Sequence, residues 1–216
     1  MDDLTRWWRV FRNELIIFFL LVLSAPTAHA KIICTTLAGA DEAKIPVIQG
    51  DCGTRVSPAS TFKIAISLMG FDSGFLEDEH SPTLPYVTGY PDWGGSDWRQ
   101  PTDPARWIKY SVVWFSQQVT HALGELAFEQ YVVRFGYGNS DVSGDPGKHN
   151  GLDRAWISSS LKISPLEQVG FLKGLVNRRL PVSRHAFEET ERITEVAMLP
   201  SGWKIHGKTE RPSRET

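Results

Sequence analysis

Strand-like patterns occur near the two ends of this chain, and helical patterns fill the stretch between them. Residues 31–37 and 45–49 are short β-prone runs separated by small and polar residues, so they predict two neighbouring strands, as in a hairpin. Near the other end, residues 203–206 alternate between apolar and polar, which is the period of a strand. This order predicts an α+β fold, in which an antiparallel sheet built from both chain ends receives an inserted helical region.

The stretch between the strand-like ends carries several helix signals. Residues 55–69 predict a helix, with Ser57 as its cap and Pro58 at its first position. Another helix is expected to begin after Ser164 and to run to about Val176, because Glu167 occupies the position that completes a capping box. Further helices are predicted over residues 104–121, 125–134 and 183–198, and irregular loops over residues 77–103 and 136–154.

The first 30 residues have the features of a secretory signal peptide. Three arginines precede an apolar run over residues 15–23, and a small-x-small sequence, Ala-His-Ala, ends at Ala30. The apolar run is shorter than the roughly 20 residues that a bilayer span needs. We therefore expect cleavage after Ala30, export, and no stable membrane anchor, so that residues 31–216 form the mature domain.

The overall charge and the cysteines limit the partners. A net charge of −2 argues against a nucleic-acid partner. Cys34 and Cys52, the two cysteines of the chain, could close one disulfide in an oxidising compartment or remain as two buried thiols. The six histidines are scattered without a zinc-binding pattern, so no metal site is expected.

The first sequence that could carry catalysis is Ser60-Thr61-Phe62-Lys63. Side chains three residues apart share one face of a helix, so the lysine amine can lie near the serine hydroxyl and act as its base. A serine in the first helical turn would also have free backbone N–H groups that favour a developing oxyanion. The same spacing recurs at residues 159–162 and 201–204, but only Ser60 falls in the first turn of a predicted helix.

A second candidate site is a phosphate-binding pattern. Residues 202–209 match GxxxxGK[ST] in full. That loop requires a strand before it and a helix after it, whereas here a strand pattern runs through the motif and Pro212 follows closely. Because no helix N-terminus is available to a phosphate, we interpret the match as a coincidence.

Five short motifs follow one another along the chain. They are Ser60-Thr61-Phe62-Lys63, then Ser111-Val112-Val113, then Tyr137-Gly138-Asn139, then Trp156 with Leu161 and Ile163, and finally Lys208-Thr209. In this order they resemble the motifs of the class D, or oxacillinase-type, serine β-lactamases. The similarity covers about residues 31–209.

This resemblance implies a serine β-lactamase or penicillin-binding-protein transpeptidase-like fold, a periplasmic location, and hydrolysis of β-lactam antibiotics through an acyl-enzyme. Ser60 would be the nucleophile. Lys63 would be carboxylated by dissolved CO2 and serve as general base, with no other cofactor and no metal. Ser111 would pass a proton to the departing β-lactam nitrogen, and Lys208 would supply positive charge nearby.

The resemblance also implies the residues that contact the substrate and shelter the lysine. Thr209 would help to hold the substrate carboxylate. The motif Tyr137-Gly138-Asn139 would form one border of the cleft, with Tyr137 itself either structural or catalytic. Val113 and Trp156 are expected to wall the Lys63 amine while packing the core, and in the family a tryptophan at the position of Trp156 hydrogen-bonds the carbamate. Carboxylation requires a neutral amine, which burial among apolar groups favours.

The end of the sequence departs from the family pattern. Glu210 stands where the family has a glycine that lets the ligand approach the backbone, and residues 211–216 carry no strand pattern. We therefore expect a domain that lacks its C-terminal strands and helix, with low stability and weak or absent hydrolysis. Two other functions stay open: a penicillin-binding sensor or transpeptidase-like protein that acylates without turnover, and an inactive remnant.

Overall fold

The computed structural model describes residues 32–208, and the architecture is that of the unit that begins at Cys34. Helices fill the middle of this unit and short antiparallel strand pairs flank them, which confirms the α+β class. The strands are β1 (Cys34–Leu37), β2 (Val47–Gly50), β3 (Glu195–Met198) and β4 (Lys204–His206). The α-helices are α1 (Lys63–Asp72), α2 (Pro104–Tyr110), α3 (Val113–Arg134), α4 (Gly151–Arg154), α5 (Pro165–Val176) and α6 (Arg184–Thr194), and 3₁₀ turns cover Ala59–Phe62 and Gly95–Arg99.

The strands pair locally. β1 and β2 form the predicted antiparallel hairpin, and the Sγ atoms of Cys34 and Cys52 are bonded, which ties β1 to the segment that follows β2. β3 and β4 form a second antiparallel pair. Within residues 32–208 these strands make two separate two-stranded sheets, whereas the sequence predicted one sheet that contained both chain ends. Each strand pairs with its nearest neighbour in sequence because a short connection makes that closure entropically cheap.

Helix α1 lies at the centre of the core. Its residues from Lys63 to Phe71 are all buried, as expected for a helix that is apolar on nearly every side. Helices α3 and α6 pack against it, and the Thr190 hydroxyl donates to the Ser67 hydroxyl across the contact with α6, at 3.1 Å. This packing holds the first turn of α1, and the 3₁₀ turn that leads into it, in a defined position.

Helix α5 begins as the sequence predicts. The Glu167 N–H donates to Ser164 Oγ at 3.3 Å, and the Ser164 N–H donates to the Glu167 carboxylate at 2.9 Å, which completes the capping box. Pro165 occupies the first helical position, where its missing N–H costs nothing. The helix runs to Val176, so both of its predicted ends are confirmed.

Two helix predictions are corrected. The predicted helix over residues 104–121 is divided at Ser111, which is left-handed with φ 59° and ψ 36°. The predicted helix over residues 183–198 ends at Thr194, because residues 195–198 pair with β4 instead. In both places contacts with residues outside the segment override the local helical preference.

Three expectations concern residues that the structure does not describe. The predicted signal peptide over residues 1–30, the substrate-binding Thr209 and the unusual Glu210 all lie outside the described residues. Between residues 32 and 208, no helix combines the length and the apolar character that a membrane crossing requires.

Candidate active site

Three side chains from two separate segments meet at the start of helix α1. Ser60 lies in the 3₁₀ turn, and Lys63, the first residue of α1, donates from Nζ to Ser60 Oγ at 3.3 Å. The Ser111 hydroxyl, 51 positions further along the chain, donates to Ser60 Oγ at 2.7 Å. Lys63 is fully buried. The structure therefore brings together a serine hydroxyl, a lysine shielded from water and a second hydroxyl, three of the four predicted catalytic residues.

The turn that carries Ser60 is tied to the segment around Trp156. Ala59 has a positive φ of 42°, and its N–H donates to the Trp156 carbonyl at 2.9 Å. The ring of Phe62 packs against the ring of Trp156, with 5.8 Å between centroids. One antiparallel bridge continues the connection, because Val56 and Ile163 exchange both backbone hydrogen bonds. The position of the serine is thus decided by contacts with a segment about 100 residues away.

Ser111 reaches Ser60 because the chain turns sharply between helices α2 and α3. A left-handed backbone is costly for a serine, and such conformations persist only where the surroundings hold them. Here three tryptophans hold the junction, and each donates its indole N–H to a partner. Trp98 donates to the Tyr110 carbonyl at 2.9 Å, Trp107 to Ser116 Oγ at 2.8 Å, and Trp114 to the Trp98 carbonyl at 2.7 Å.

Trp156 differs from those three tryptophans. Its side chain is fully buried between Phe62 and Phe128, yet its Nε1 atom is buried without a hydrogen-bond partner. Buried indole N–H groups are normally satisfied, because an unmade buried hydrogen bond is costly. An unpaired buried donor beside the Ser60 turn can receive an acceptor that is brought by a ligand or by a modification of a neighbouring side chain.

The motif Tyr137-Gly138-Asn139 joins the core to the segment after Trp156. Gly138 has a φ of 57°, and a Cβ there would lie 1.9 Å from the Lys162 carbonyl oxygen, so no other residue fits. The Asn139 N–H donates to that carbonyl at 2.9 Å, and the Lys162 N–H donates back to Asn139 Oδ1 at 2.9 Å. Sequence reasoning placed this motif at the cleft border and missed the clamping role of Asn139.

The Tyr137 side chain is fully buried, and its hydroxyl donates to Gln168 Oε1 at 2.9 Å. Burial raises the pKa of Tyr137 far above its ordinary value, so the phenol stays protonated. These contacts place Tyr137 in the core, and its role at the border of the cleft stays a prediction. Val113, the first residue of α3, is likewise buried.

Lys208 lies just after β4 and is partly buried. Its approach to Ser111, inferred from the family, stays a prediction, and so does the role of Thr209. Strand β4 runs through the middle of the phosphate-loop pattern, as the alternation of residues 203–206 predicted. The described part of the chain contains no cluster of three or more metal-ligating side chains.

Ser57 is the clearest correction at the site. The sequence assigned it as a helix cap, but no side-chain cap is present at the start of the 3₁₀ turn or of α1. Its hydroxyl instead donates to the Trp156 carbonyl at 2.8 Å. The reason is that the packed segment around Trp156 offers a carbonyl acceptor nearby, and a hydroxyl can serve a distant backbone as well as a local one.

Residues 26–209 match the family model of the penicillin binding protein transpeptidase domain. The chain is 45% identical to β-lactamase OXA-9 of Klebsiella pneumoniae, over 82% of this chain and 64% of that protein. It is 41% identical to β-lactamase OXA-1 of Escherichia coli, over 73% of this chain and 56% of that protein. The chain thus spans less than two thirds of the length of either relative.

The fold is similar to that of solved β-lactamases. A structure of the OXA-427 class D β-lactamase aligns with a TM-score of 0.78 and 51% identity, over 81% of this chain and 71% of that one. A structure of the BPu1 β-lactamase aligns with a TM-score of 0.72 and 29% identity, over 82% and 73% of the two chains.

Proposed function

Because this chain belongs to the class D β-lactamases, within the penicillin-binding-protein transpeptidase family, we propose that it hydrolyses β-lactams through a covalent acyl-enzyme on Ser60. The observation that carries the proposal is the position of one hydroxyl. Ser60 Oγ lies 3.3 Å from the amine of the fully buried Lys63 and 2.7 Å from the hydroxyl of Ser111. A candidate base and a proton relay are therefore each within hydrogen-bond reach of the nucleophile.

The proposed first half-reaction opens the ring. Lys63, in a form that can accept a proton, takes the hydroxyl proton of Ser60 while Ser60 Oγ attacks the lactam carbonyl carbon. The carbon–nitrogen bond of the ring breaks, and Ser111 passes its hydroxyl proton to the leaving nitrogen while it receives the proton that Lys63 took, so both side chains return to their starting forms. In the second half-reaction a water molecule attacks the ester on Ser60, which releases the ring-opened acid and restores the hydroxyl. Each half-reaction needs a base beside Ser60 Oγ, which removes a proton from the serine hydroxyl in the first and from the attacking water in the second.

The base is proposed to be Lys63 in its carboxylated form. CO2 adding to the neutral amine would supply a carbamate oxygen as proton acceptor for both half-reactions. The residues present fit such a group in two respects. Lys63 is fully buried, which disfavours the charged amine, and the buried Trp156 Nε1 has no hydrogen-bond partner and could donate to a carbamate. No metal is part of the proposal.

We further propose that Lys208 supplies positive charge near Ser111 during proton transfer, and that Thr209 helps to hold the carboxylate that β-lactams carry, with Val113 and Trp156 as apolar walls of the site. A hydroxyl is a suitable partner for a carboxylate, because it can donate a hydrogen bond to it. Tyr137 is proposed to support this region from the core through its bond to Gln168.

We propose that residues 1–30 direct export to the periplasm and are removed after Ala30. The cationic start, the apolar run and the Ala-His-Ala sequence support this reading. The Cys34–Cys52 disulfide is consistent with it, because disulfides persist in oxidising compartments. The test is the mass and N-terminal sequence of the protein recovered from the periplasm, which should begin at Lys31. A chain that retains residue 1 would contradict the proposal.

The decisive experiment measures acylation and turnover separately. The protein is incubated with a fluorescent penicillin and, in parallel, with the chromogenic substrate nitrocefin, each with and without added bicarbonate. We expect a label on Ser60 that decays, and nitrocefin hydrolysis that rises with bicarbonate. A label that persists indefinitely would instead indicate a penicillin-binding protein that acylates without turnover. No label at any concentration would indicate an inactive protein.

A further inference from the structure

We propose that Ser57 is a positioning residue that holds Trp156, whose ring packs against Phe62 next to Lys63 in the chain, and thereby stabilises the carboxylated lysine. The inference rests on the proposed function, since it concerns the base that this function requires. Ser57 lies three residues before Ser60 and is half-buried. Its hydroxyl is bonded to the backbone around Trp156, so its proposed effect passes through that segment.

The Ser57 hydroxyl makes two hydrogen bonds to that segment. It donates to the Trp156 carbonyl at 2.8 Å and accepts from the Ser158 N–H at 2.9 Å. A hydroxyl can do both at once because it carries one donor hydrogen and acceptor lone pairs. The Ser57 side chain thus links the segment that leads to Ser60 with both ends of the turn at residues 156–158.

The backbone on both sides of this bridge is conformationally costly. Ser158 has a φ of 52° and Ala59 a φ of 42°, values that residues with a Cβ adopt only when their surroundings hold them. The Ala59 N–H donates to the same Trp156 carbonyl that Ser57 uses. Removing the Ser57 hydroxyl would leave Ser158 without this restraint and the carbonyl with one donor fewer.

The carbonyl that Ser57 binds belongs to Trp156, so the same hydrogen bond holds the backbone from which the indole ring projects. The Trp156 ring packs against Phe62, the neighbour of Lys63, and its buried Nε1 is unpaired. The packing of Phe62 and Phe128 limits where the ring can lie, but it provides no directional bond. The direction of the indole N–H therefore depends on the backbone of Trp156, which Ser57 and Ala59 hold.

The test measures carboxylation directly. Wild-type protein, Ser57→Ala and Ser57→Thr are titrated with ¹³C-labelled bicarbonate, and the carbamate carbon is followed by NMR. We expect Ser57→Ala to need about tenfold more bicarbonate for half-maximal signal, the effect of losing the two hydrogen bonds that hold the Trp156 segment. Ser57→Thr keeps a hydroxyl and should titrate like wild type. Ser73→Ala is the matched control, because Ser73 Oγ also donates to a backbone carbonyl, that of Gly70, at the far end of α1.

A second measurement follows the turn itself. Amide hydrogen exchange at Ser158 should become faster in Ser57→Ala and stay unchanged in Ser73→Ala. Ser57→Cys keeps the volume but weakens both bonds, and it replaces the alanine variant if that one does not fold. An unchanged bicarbonate titration in Ser57→Ala or Ser57→Cys would overturn the inference alone. No carbamate signal in the wild-type protein would overturn it together with the proposed lysine chemistry.

Discussion

A serine three residues before a lysine occurs in the buried turn at residues 60–63 and again in the exposed hairpin at residues 201–204. In the turn, the lysine is fully buried and donates to the serine hydroxyl. In the hairpin, Lys204 donates to Glu195 at 2.8 Å, and this hydrogen bond holds the pKa of Lys204 above its ordinary value. The same spacing thus yields a candidate base in one region and a permanently charged surface lysine in the other.

The two regions differ in what surrounds them. Helix α1 is enclosed by other helices, whereas apolar side chains of the β3–β4 hairpin face solvent, with Val196 67% and Trp203 75% exposed. Burial favours the neutral form of an amine, and an exposed ion pair favours the charged form. Chemistry at a Ser-x-x-Lys spacing is therefore decided by the packing around it.

The largest expected effect tests the two serines. Ser60→Ala should abolish covalent labelling by a fluorescent penicillin, because it removes the hydroxyl to which both Lys63 and Ser111 donate. Ser201→Ala should leave labelling unchanged. The measurement is the fluorescence of the protein band after denaturing electrophoresis. Labelling that survives in Ser60→Ala, or is lost in Ser201→Ala, would contradict the assignment of the nucleophile to the buried pair.

The second-largest expected effect is the difference in acylation rate between variants of Lys63 and of Lys204. Lys63→Met removes the group that takes the Ser60 proton, and the rate of acylation should fall by about 10²-fold or more. Lys204→Met should change that rate by less than about twofold, because it removes an exposed ion pair. Quenched-flow labelling with the same penicillin gives both rates. Equal losses in the two variants would mean that burial does not distinguish them.

A third prediction separates tryptophans within the buried region. Trp156→Phe removes an indole N–H that has no partner in the structure, so without bicarbonate we expect it to lower the free energy of unfolding less than Trp107→Phe does, both variants leaving a similar cavity. The bicarbonate needed for half-maximal activity should rise about tenfold in Trp156→Phe. Trp107→Phe removes a bond to the buried Ser116 hydroxyl and should lower the free energy of unfolding by about 1–3 kcal/mol. Urea unfolding measures the stability of both variants, and activity at increasing bicarbonate measures their half-maximal concentration. A Trp156→Phe loss as large as that of Trp107→Phe would show that the N–H is paired.

The smallest expected effect is on the free energy of unfolding, and it comes from the ion pairs Arg55–Glu167 and Lys204–Glu195. The hydrogen bond from Arg55, together with those from Ser164, lowers the pKa of Glu167 from 4.5 to about 2. A lowered folded-state pKa contributes stability that is present above the ordinary pKa and is lost as the pH falls through about 2. Glu167→Gln should therefore cost about 1 kcal/mol at neutral pH, after allowance for solvent screening, and progressively less between pH 4.5 and 2.

Unfolding experiments at several pH values measure this difference. The matched control is Glu195→Gln in the hairpin, whose side chain is 32% exposed, as is that of Glu167. A smaller change is expected there, because Lys204 donates to Glu195, whereas both Arg55 and Ser164 donate to Glu167. A cost for Glu167→Gln that stays constant from neutral pH to acid would show that the carboxylate charge contributes nothing.

Several features could be predicted from the sequence because they depend on residues close together in the chain. The β1–β2 hairpin, the capping box of Ser164 and Glu167, and the spacing of Ser60 and Lys63 are of this kind. Turn length, capping hydrogen bonds and helical periodicity are local, so a short stretch of sequence contains what they need. The ordered motifs also identified the family.

Only the tertiary structure decided which Ser-x-x-Lys pair is enclosed, that Ser111 meets Ser60, that Ser57 serves Trp156 rather than a helix end, and that the Trp156 indole lacks a partner. Each of these depends on segments roughly 50 to 100 positions apart in the chain. Their approach is set by the packing of buried side chains from many elements at once, and a local pattern contains no information about a neighbour that distant.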